Sequence, residues 1–402
     1  MHSEHAGELA TRRAGAGDGL SAPAGHADGF FGALSGDGWS PLWTGLARVG
    51  GKLPAPRQPD RDPWALLRGR GDPSGRGGAD GRLVGEACQP RAAVRPWFDE
   101  AVAAQGYRWW YIDAISDDGC HGLTIIAFVG SVFSPYYKRS GRGIPLDHSC
   151  LNIALYGPRG RWVMTERGQQ ATSQSPNQLA IGPSAMRWMG DRLVIDIEER
   201  DIRLGVPWRR RVAGRVTLHP QMLNPQSFKL DPMGKHHWHA IAPLARVEVD
   251  MAQPGLRWSG SAYLDGNHGS EPLEAGFKHW HWSRAHVGRE VAVIYEGERR
   301  DGSPFASALR FDRRGRVMEE DLPEVAPLPR TGWLMERQTR ADRGFARVVK
   351  TWEDAPFYAR SRLAMDLFGQ PVTAVQESIA MDRLVHPVVQ FMLPYKMPRE
   401  VG

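Results

Sequence analysis

The stretch RWWYIDAISDDGCHGLTIIAFVGSVF (108–133) gives the clearest indication of the fold. Two runs rich in aromatic and β-branched residues flank DDG (117–119), which is typical of a tight turn. The second run, LTIIAFVGSVF (123–133), is shorter than the roughly 18 apolar residues that a membrane-spanning helix needs. The stretch therefore predicts two antiparallel strands joined by a turn, with the second strand buried.

Runs of the same kind recur to the end of the chain, among them CLNIALYG, RWVMTER, RLVIDIEE, RVAGRVTLHP, ARVEVDM, REVAVIYEGER, SALRFD and PVTAVQESIAMD. Turn-forming sequences separate them: GPRG (157–160), GD (190–191), ERRDG (298–302) and DRRG (312–315). Because long helical periodicity is scarce, the sequence predicts an all-β fold built from barrels or sandwiches.

The strand-rich part of the chain is large for one small barrel, so we expect two antiparallel β-domains in tandem. The predicted boundaries are residues 93–245 for the first domain and 246–402 for the second, with Pro243 and Pro254 marking the junction. No internal sequence repeat relates the two domains.

Residues 1–92 have a different composition, rich in Gly, Pro and Arg, as in RGRGDPSGRGGADGR (68–82). Such a segment buries too little apolar surface to offset chain entropy, so we expect a largely disordered extension. Within it, FFGALSGDGWSPLWTGLARV (30–49) is aromatic. This segment either docks on a membrane or a partner, or is a disordered stretch with a few apolar side chains.

The bulk composition narrows the function classes. The chain has 402 residues, a net charge of +6 and three cysteines without a CxxC pair, which predicts a reduced cytoplasmic protein. The positive charge is spread along the chain, so nucleic acid is not an expected partner, whereas an anionic membrane surface is a weak candidate. There is no GxGxxG after a strand, no P-loop, no GxSxG and no HExxH, so nucleotide-dependent and serine-hydrolase chemistry have no support.

Four side chains suggest acid catalysis if KHHWH (235–239) and SAYLDGNHG (261–269) are strands. Strand alternation then gives His236 and Trp238 one shared face, and Tyr263 and Asp265 another. If these faces converge in a barrel interior, burial keeps Asp265 protonated, and it can protonate a weak base such as an alkene. Spacing alone favours a turn at Asp265-Gly266, because Asp-Gly is a common turn dipeptide.

The histidines also allow a metal site. KHWHW (278–282) contains a second alternating pair, so His237 with His239 and His279 with His281 would be two HxH pairs if their strands were neighbours. No carboxylate is clearly associated with them, and histidines on strands often have only structural roles.

Tryptophan is abundant, with 15 residues. Most of these indoles are expected to pack in a core, but a cluster of them would also suit a long apolar polyene or a carbocation. The candidates for substrate binding are Trp109, Trp110, Trp258, Trp280 and Trp282.

Four segments, in order, resemble the carotenoid 1,2-hydratases, the hydroxyneurosporene synthases of photosynthetic bacteria. They are WWYIDAISDDGCHGLTIIAFVGSVFSPYY (109–137), HHWHAIAPLARVEVD (236–250), WSGSAYLDGNHGSEPLE (258–274) and WHWSRA (280–285). The resemblance runs from near Trp97 to MLPYKMPR (392–399) and leaves out the first ninety residues. Ala240 occupies a position where the resemblance leads us to expect proline. This difference is minor and lies outside the four catalytic positions named in the next paragraph.

The resemblance implies two tandem lipocalin-like β-barrels and cofactor-independent, metal-free addition of water to the C1–C2 double bond of acyclic carotenoids such as neurosporene and lycopene. It assigns catalysis to Asp265, His236, Tyr263 and Trp238. Asp265 would be the acid, Trp238 would stabilise the cation, and His236 or Tyr263 would take the proton from water, unless Tyr263 instead orients Asp265.

The same resemblance implies a hydro-lyase in the cytoplasm, peripherally attached to the inner, photosynthetic membrane. Two alternatives remain at this point. One is a carotenoid or lipid carrier without catalysis, and the other is a metal-dependent isomerase or oxygenase that uses the HxH pairs.

Overall fold

The computed structural model describes residue 83 and residues 85–87, 94–201 and 209–400. The aromatic segment 30–49 and most of the predicted extension lie outside these residues. The described chain is dominated by antiparallel strands in two large sheets, and the prediction of an all-β fold is confirmed.

The first thirteen strands belong to one sheet. They are β1 (Gly85–Ala87), β2 (Tyr107–Ser116), β3 (Gly122–Val129), β4 (Ser149–Tyr156), β5 (Arg161–Arg167), β6 (Thr172–Ser175), β7 (Gln178–Ile181), β8 (Ser184–Met189), β9 (Arg192–Asp201), β10 (Arg210–Pro220), β11 (Gln226–Lys229), β12 (His236–Gln253) and β13 (Leu256–Gly269). The stretch 108–133 forms the predicted hairpin, since β2 and β3 pair antiparallel across the DDG turn.

The remaining strands form the second sheet and a separate hairpin. They are β14 (Phe277–Val287), β15 (Glu290–Arg299), β16 (Pro304–Phe311), β17 (Val317–Glu319), β18 (Glu324–Leu328), β19 (Arg337–Ala341), β20 (Ala346–Asp354), β21 (Tyr358–Leu367), β22 (Gln370–Ala380) and β23 (Arg399–Glu400), the last of which returns to the first sheet. The short helices are α1 (Pro135–Arg139), α2 (Leu273–Gly276), α3 (Met381–Leu384) and α4 (Pro387–Met392).

The first sheet curls back on itself. Its main strand order is β23-β5-β4-β3-β2-β13-β12-β10-β9-β8-β7-β6, and β11 pairs with β12 and β1. Although β5 and β9 are far apart in this order, Arg167 on β5 donates two hydrogen bonds, of 3.0 and 2.8 Å, to the Glu199 carboxylate on β9. The curvature therefore brings strands from the two ends of the sheet together, as a barrel requires.

The first sheet has two differently packed faces, as strand alternation requires. Along β2, Trp110 and Ile112 join an apolar core inside the curl. Tyr111 and its alternating neighbours face the second sheet and join a separate core shared by both sheets. We call this second core the inter-sheet layer, and its large aromatic members include Trp109, Tyr111, Trp238, Tyr263, Trp280, Trp282, Tyr295 and Phe305.

The second sheet has the order β17-β16-β15-β14-β22-β21-β20. One of its faces lines the inter-sheet layer, and the other forms a third apolar core with the β18–β19 hairpin, to which Ala326, Leu328 and Ala341 belong. Both faces of the sheet are therefore buried over much of their area.

The two prolines that were expected to mark the domain junction lie within the first sheet. Pro243 is inside β12, within the register shift between Ala242 and Ala245, and Pro254 is in the turn between β12 and β13. A proline is compatible with a strand where the ladder is irregular. The chain passes from the first sheet to the second between Gly269 and Phe277, while the division into domains at 245/246 stays a prediction.

Candidate active site

Asp265 lies in the inter-sheet layer with its carboxyl group held from one side. The indole N–H of Trp238 and the hydroxyl of Tyr263 both donate to Oδ2, each at 2.9 Å. The other oxygen, Oδ1, is buried and has no hydrogen-bond partner among the described residues. A buried polar atom needs a partner, so Oδ1 is the side of the group that is open to a bound molecule.

The protonation of Asp265 follows from this environment. Burial raises the pKa of its carboxyl group to about 8, although the hydrogen bonds from Trp238 and Tyr263 work in the opposite direction. At neutral pH the group therefore carries a proton. Because Oδ2 already accepts two hydrogen bonds, the proton belongs on Oδ1, where it faces no protein acceptor in the described chain.

The local sequence explains how the acid is placed. Asp265 and Gly266 are inside β13, so the Asp-Gly pair forms a strand and not the turn that spacing favoured. Asp265 pairs in register with Tyr111 on β2. At Gly266 a Cβ atom would lie 3.2 Å from the carbonyl oxygen of Trp109 and 3.5 Å from a methyl of Ile241. Glycine there permits the close approach of the strands beside the acid.

His236 shares a face with Trp238, as alternation predicted, but its hydrogen bonds lead away from Asp265. Its Nδ1 lies 2.9 Å from the Tyr107 hydroxyl, and its Nε2 lies 3.3 Å from a Glu271 carboxylate oxygen. Burial lowers the pKa of His236 below its ordinary value of 6.5, so the ring is neutral at neutral pH. The structure thus brings together Trp238, Tyr263 and Asp265, and His236 is two residues before Trp238, at the start of β12.

The acid lies between the two sheets and not in a barrel interior, which corrects the expected position. The second sheet covers it with two aromatic side chains. The Trp282 ring lies 5.3 Å from that of Tyr263, and the Tyr295 ring lies 5.6 Å from that of Trp238. The interior of the first sheet is filled by a mainly apolar core, so a polar site fits better in the layer where the sheets meet.

The five candidate tryptophans separate by face. Trp109, Trp280 and Trp282 lie in the inter-sheet layer, and the rings of Trp109 and Trp280 are 6.4 Å apart. Trp110 and Trp258 belong to or pack against the core inside the first sheet, on the opposite face from Asp265. The structure therefore brings three of the five to the layer that holds the acid.

A buried ionic network beside the acid was not predicted from the sequence. Asp113 on β2 pairs with Arg284 on β14, at 2.8 Å from Nε, and with Arg360 on β21. Arg360 also pairs with Glu377 and donates to the Tyr111 hydroxyl at 2.6 Å, while that hydroxyl donates to Glu377 at 2.7 Å. These two arginines and two carboxylates join the sheets with balanced charge.

The network leaves a charged carboxylate next to a neutral one. Burial alone would raise the pKa of Asp113, but Arg284 and Arg360 outweigh burial, and the pKa lies below its ordinary value. The negative charges of Glu377 and Asp113 in turn add to the rise in the pKa of Asp265. Alternation along β2 could have placed Asp113 on the face of Tyr111, but its partners are more than 170 residues away in sequence.

The two HxH pairs do not form a metal site. β12 lies in the first sheet and β14 in the second, so the pairs are not on neighbouring strands. His239 hydrogen-bonds the Asn224 carbonyl oxygen at 2.6 Å, His237 stacks on His268, and His281 lies 2.7 Å from the Ser378 hydroxyl. Across the described ranges, no group of three or more His, Cys, Asp or Glu side chains is arranged to hold a metal ion.

Together these features define a class of site. A carboxylic acid that keeps its proton, fixed by two neutral donors and covered by aromatic rings, suits acid catalysis on an apolar substrate. No helix in the described part of the chain is both long and apolar enough to cross a membrane.

Residues 125–402 match the family model described as carotenoid hydratase CrtC, and the chain belongs to that family. It is 48% identical over 377 residues to an acyclic carotenoid 1,2-hydratase of Thiocapsa roseopersicina, covering 92% of each chain. It is 43% identical over 388 residues to a protein of the same description from Rubrivivax gelatinosus, covering 94% of each. A third such protein, from Cereibacter sphaeroides, is 41% identical and covers 69% of this chain but 99% of its own length.

These alignments correct the expected extent of the resemblance. Coverage of 92% and 94% of this chain includes part of residues 1–92, which the sequence analysis left outside the similarity. The alignments to these two relatives therefore include part of the Gly- and Arg-rich segment, whereas the alignment to the third relative covers 99% of that protein and 69% of this chain.

Proposed function

We propose that this protein adds water to the terminal C1–C2 double bond of acyclic carotenoids, such as neurosporene and lycopene, and so forms tertiary 1-hydroxy carotenoids. This is hydro-lyase chemistry. The descriptions of the relatives support the substrate class. The observation that carries the chemistry is Asp265, whose pKa of about 8 and unpartnered Oδ1 provide a proton in an apolar site.

The first step is proton transfer from Asp265 Oδ1 to C2. The π electrons of the C1–C2 bond form the new C2–H bond, and the positive charge appears at C1 because that cation is tertiary. Water then adds at C1, which gives the tertiary alcohol. The rings of Tyr263 and Trp282 have centroids 5.3 Å apart in the layer that holds the acid, and aromatic faces favour a cation.

Tyr263 and Trp238 act by orienting the acid. Both donate to Oδ2, and burial raises the pKa of Tyr263 well above its ordinary value of 10.0, so its hydroxyl stays protonated and is a poor base. Of the two roles predicted for Tyr263, orientation of Asp265 therefore has the better support. The predicted role of His236 as the base has no direct contact to support it, since its hydrogen bonds go to Tyr107 and Glu271.

The polyene chain needs a path to the acid. A row of register partners runs from Asp265 through Tyr111, Ile126 and Asn152 to Met164. A cavity between the sheets includes the last three of these residues and is lined mostly by apolar and aromatic side chains. At a strand spacing of ~4.8 Å, the cavity begins about 10 Å from the acid. We propose that the polyene extends along this row.

We also propose that the protein associates peripherally with a membrane, through α4 and the residues that follow it. Val388, Phe391 and Tyr395 are 57%, 69% and 54% exposed. The other side of this segment packs into the inter-sheet layer, and Met397 lines the cavity. An exposed apolar surface beside the cavity suits transfer of an apolar substrate from lipid.

Flotation with phospholipid vesicles tests the membrane proposal. Replacing Val388, Phe391 and Tyr395 by serine should reduce the fraction that floats and reduce turnover of vesicle-bound lycopene, while turnover in detergent changes little. Phe345→Ser is the matched control, because Phe345 is 68% exposed and lies outside this surface. Equal flotation of the triple variant and the control would refute the docking surface.

The function itself is tested with Asp265→Asn and lycopene in detergent, with products identified by mass. Asparagine keeps the shape and can accept the same two hydrogen bonds, but it cannot supply the proton. We expect hydration to fall by a factor on the order of 1,000, within the range for loss of a general acid. Retention of most of the activity would show that Asp265 is not the acid.

A further inference from the structure

Several buried polar atoms between the sheets have no hydrogen-bond partner within the described residues, and three of them belong to Asp265 and to side chains near it. They are Oδ1 of Asp265, Nδ2 of Asn267 and Nε1 of Trp282. Unpartnered buried groups are rare, because each costs about 1–3 kcal/mol if it is left unsatisfied. Three of them around one site indicate a polar ligand, in a layer that is otherwise aromatic.

The strand geometry places these atoms around the acid. Asn267 is two residues after Asp265 on β13 and therefore shares its face, and it pairs in register with Trp238. From the opposite sheet, Tyr295 lies close to the Asn267 side chain, whose amide favours the ionised form of the Tyr295 hydroxyl and so works against the rise in its pKa. Trp282 pairs in register with Tyr295 on that sheet. Asn267 thus lies on the acid's own strand, facing the second sheet.

Resting on the function proposed above, we infer that the side-chain amide of Asn267 binds the water molecule that attacks the substrate. Nδ2 donates to one lone pair of the water oxygen, and the other lone pair remains free for C1. The carboxyl group of Asp265 lies on the same face and can accept a hydrogen bond from this water once it has lost its own proton. Asn267 is therefore a catalytic residue that the sequence analysis did not identify.

The step balances without another reactant. After Asp265 has protonated C2, a lone pair of the bound water forms the C1–O bond. The resulting oxonium is strongly acidic, and one of its protons passes to Oδ1 of Asp265, which restores the neutral acid. The net change is the addition of one water molecule, and Tyr263 and His236 keep their protonation states.

Deuterium exchange separates protonation of the alkene from capture of water. In D₂O, a cation that is not captured can lose a proton and return as deuterated lycopene, whereas a captured cation becomes the alcohol. For Asn267→Leu we expect hydration to fall on the order of tenfold, as for loss of one hydrogen bond to the reacting water. The ratio of deuterated lycopene to alcohol should rise by a similar factor. Asn267→Ala should change the ratio in the same direction. It replaces Asn267→Leu in the test if the leucine variant folds poorly.

Two further variants test whether a change in the ratio of deuterated lycopene to alcohol comes from loss of the Asn267 amide. Asn224→Leu removes another buried amide, but its Nδ2 already donates to the Gln226 carbonyl, so stability should fall without a change in the ratio. Trp282→Phe removes the other unpartnered donor and weakens a ring that favours the cation, so exchange and hydration should fall together and their ratio should stay unchanged. The inference is overturned if the Asn267 variants lower deuterium exchange and hydration equally. It is also overturned if Trp282→Phe shifts the ratio of deuterated lycopene to alcohol and the Asn267 variants do not. Failure of the proposed function would appear separately, as wild-type protein that neither exchanges nor hydrates lycopene.

Discussion

Asp113 and Asp265 are two buried carboxyl groups on adjacent strands with opposite protonation. Asp113 pairs in register with Tyr263, the residue that donates to Asp265. Both side chains are almost inaccessible to solvent. The pKa of Asp113 is lowered because two arginines outweigh burial, whereas the pKa of Asp265 is raised to about 8 because burial outweighs two neutral donors. The charge of the partner, and not the depth of burial, decides which carboxyl keeps its proton.

This difference divides the work between the two residues. Asp113 holds the sheets together, since its partners Arg284 and Arg360 belong to the second sheet. Among the described residues Asp265 has no cationic hydrogen-bond or ion-pair partner that would stabilise its charged form, so it is available as an acid. The ionic network also fixes the second sheet over the acid, which keeps Trp282 against Tyr263.

The largest effect on stability is expected for Asp113→Asn. It removes the carboxylate that pairs with both Arg284 and Arg360 in a buried site, and loss of one member of a buried ion pair costs about 3–5 kcal/mol. Asp265→Asn should change the free energy of unfolding by less than about 1 kcal/mol when measured near pH 4, where Asp265 of the unfolded chain is also largely protonated, because it then replaces a neutral acid with a neutral amide. Urea denaturation of both variants measures the difference. Equal destabilisation would contradict the assignment of a neutral Asp265.

The sequence was sufficient to predict the fold class and the pairing of side chains along single strands. Apolar runs and turn sequences identified the β2–β3 hairpin, and alternation placed Tyr263 with Asp265 and His236 with Trp238. These are local properties, because neighbours on a strand are fixed by a repeat of two residues. The same rule could not decide between strand and turn at Asp265-Gly266, where the pairing of β13 with β2 overrides the local preference.

The arrangement of the sheets could not be predicted in this way. The site was expected inside one barrel, but it lies where two sheets pack, and this depends on contacts between distant segments. Arg360 reaches Asp113 across 247 residues of sequence, and no local pattern records that contact. Trp109 and Trp110 were both candidates for substrate binding, but neighbours on a strand lie on opposite faces, and the sequence could not tell which of the two faces the acid.

The pH dependence of stability should differ in sign for the two carboxyl groups. The folded-state pKa of Asp265 is above its ordinary 3.8, so between about pH 4 and 8 the folded chain holds a proton that the unfolded chain has released. Its contribution to the free energy of unfolding therefore decreases as pH rises through this interval, by at most about 1.4 kcal/mol per pH unit. Asp113, with a lowered pKa, contributes stability that is lost only as pH falls below 3.8.

Denaturation of the wild type and of Asp265→Asn from pH 5 to 8 isolates the contribution of Asp265 to the pH dependence of the free energy of unfolding. Other titrating groups affect both proteins equally, so the difference between the two curves reports Asp265. We expect the variant to gain stability relative to wild type as pH rises. Parallel curves would mean that Asp265 is ionised throughout the interval.

Activity should respond to the same ionisation. The protonated form of Asp265 is the active one, so hydration should be nearly independent of pH below about 8 and fall about tenfold per pH unit well above it. Initial rates with lycopene in detergent micelles, measured from pH 6 to 10, test this expectation. A rate that rises across this range would indicate that a deprotonated base limits the reaction.

The smallest effect is expected when one hydrogen-bond donor to Asp265 is removed. This change tests most directly how neutral donors, as opposed to the arginines of Asp113, act on a buried carboxyl group. Tyr263→Phe removes one hydrogen bond from Oδ2, and since this bond lowers the pKa of Asp265, the alkaline fall in activity should move to higher pH. Without this hydrogen bond the acid is less well oriented. If the activation free energy rises by about 1 kcal/mol, the rate at neutral pH should fall roughly fivefold. Tyr107→Phe is the matched control, since Tyr107 bonds His236 and not Asp265, and it should leave the pH of the fall unchanged. If both variants shift the pH of the alkaline fall equally, the neutral donors act through packing of the inter-sheet layer and not through the carboxyl group of Asp265.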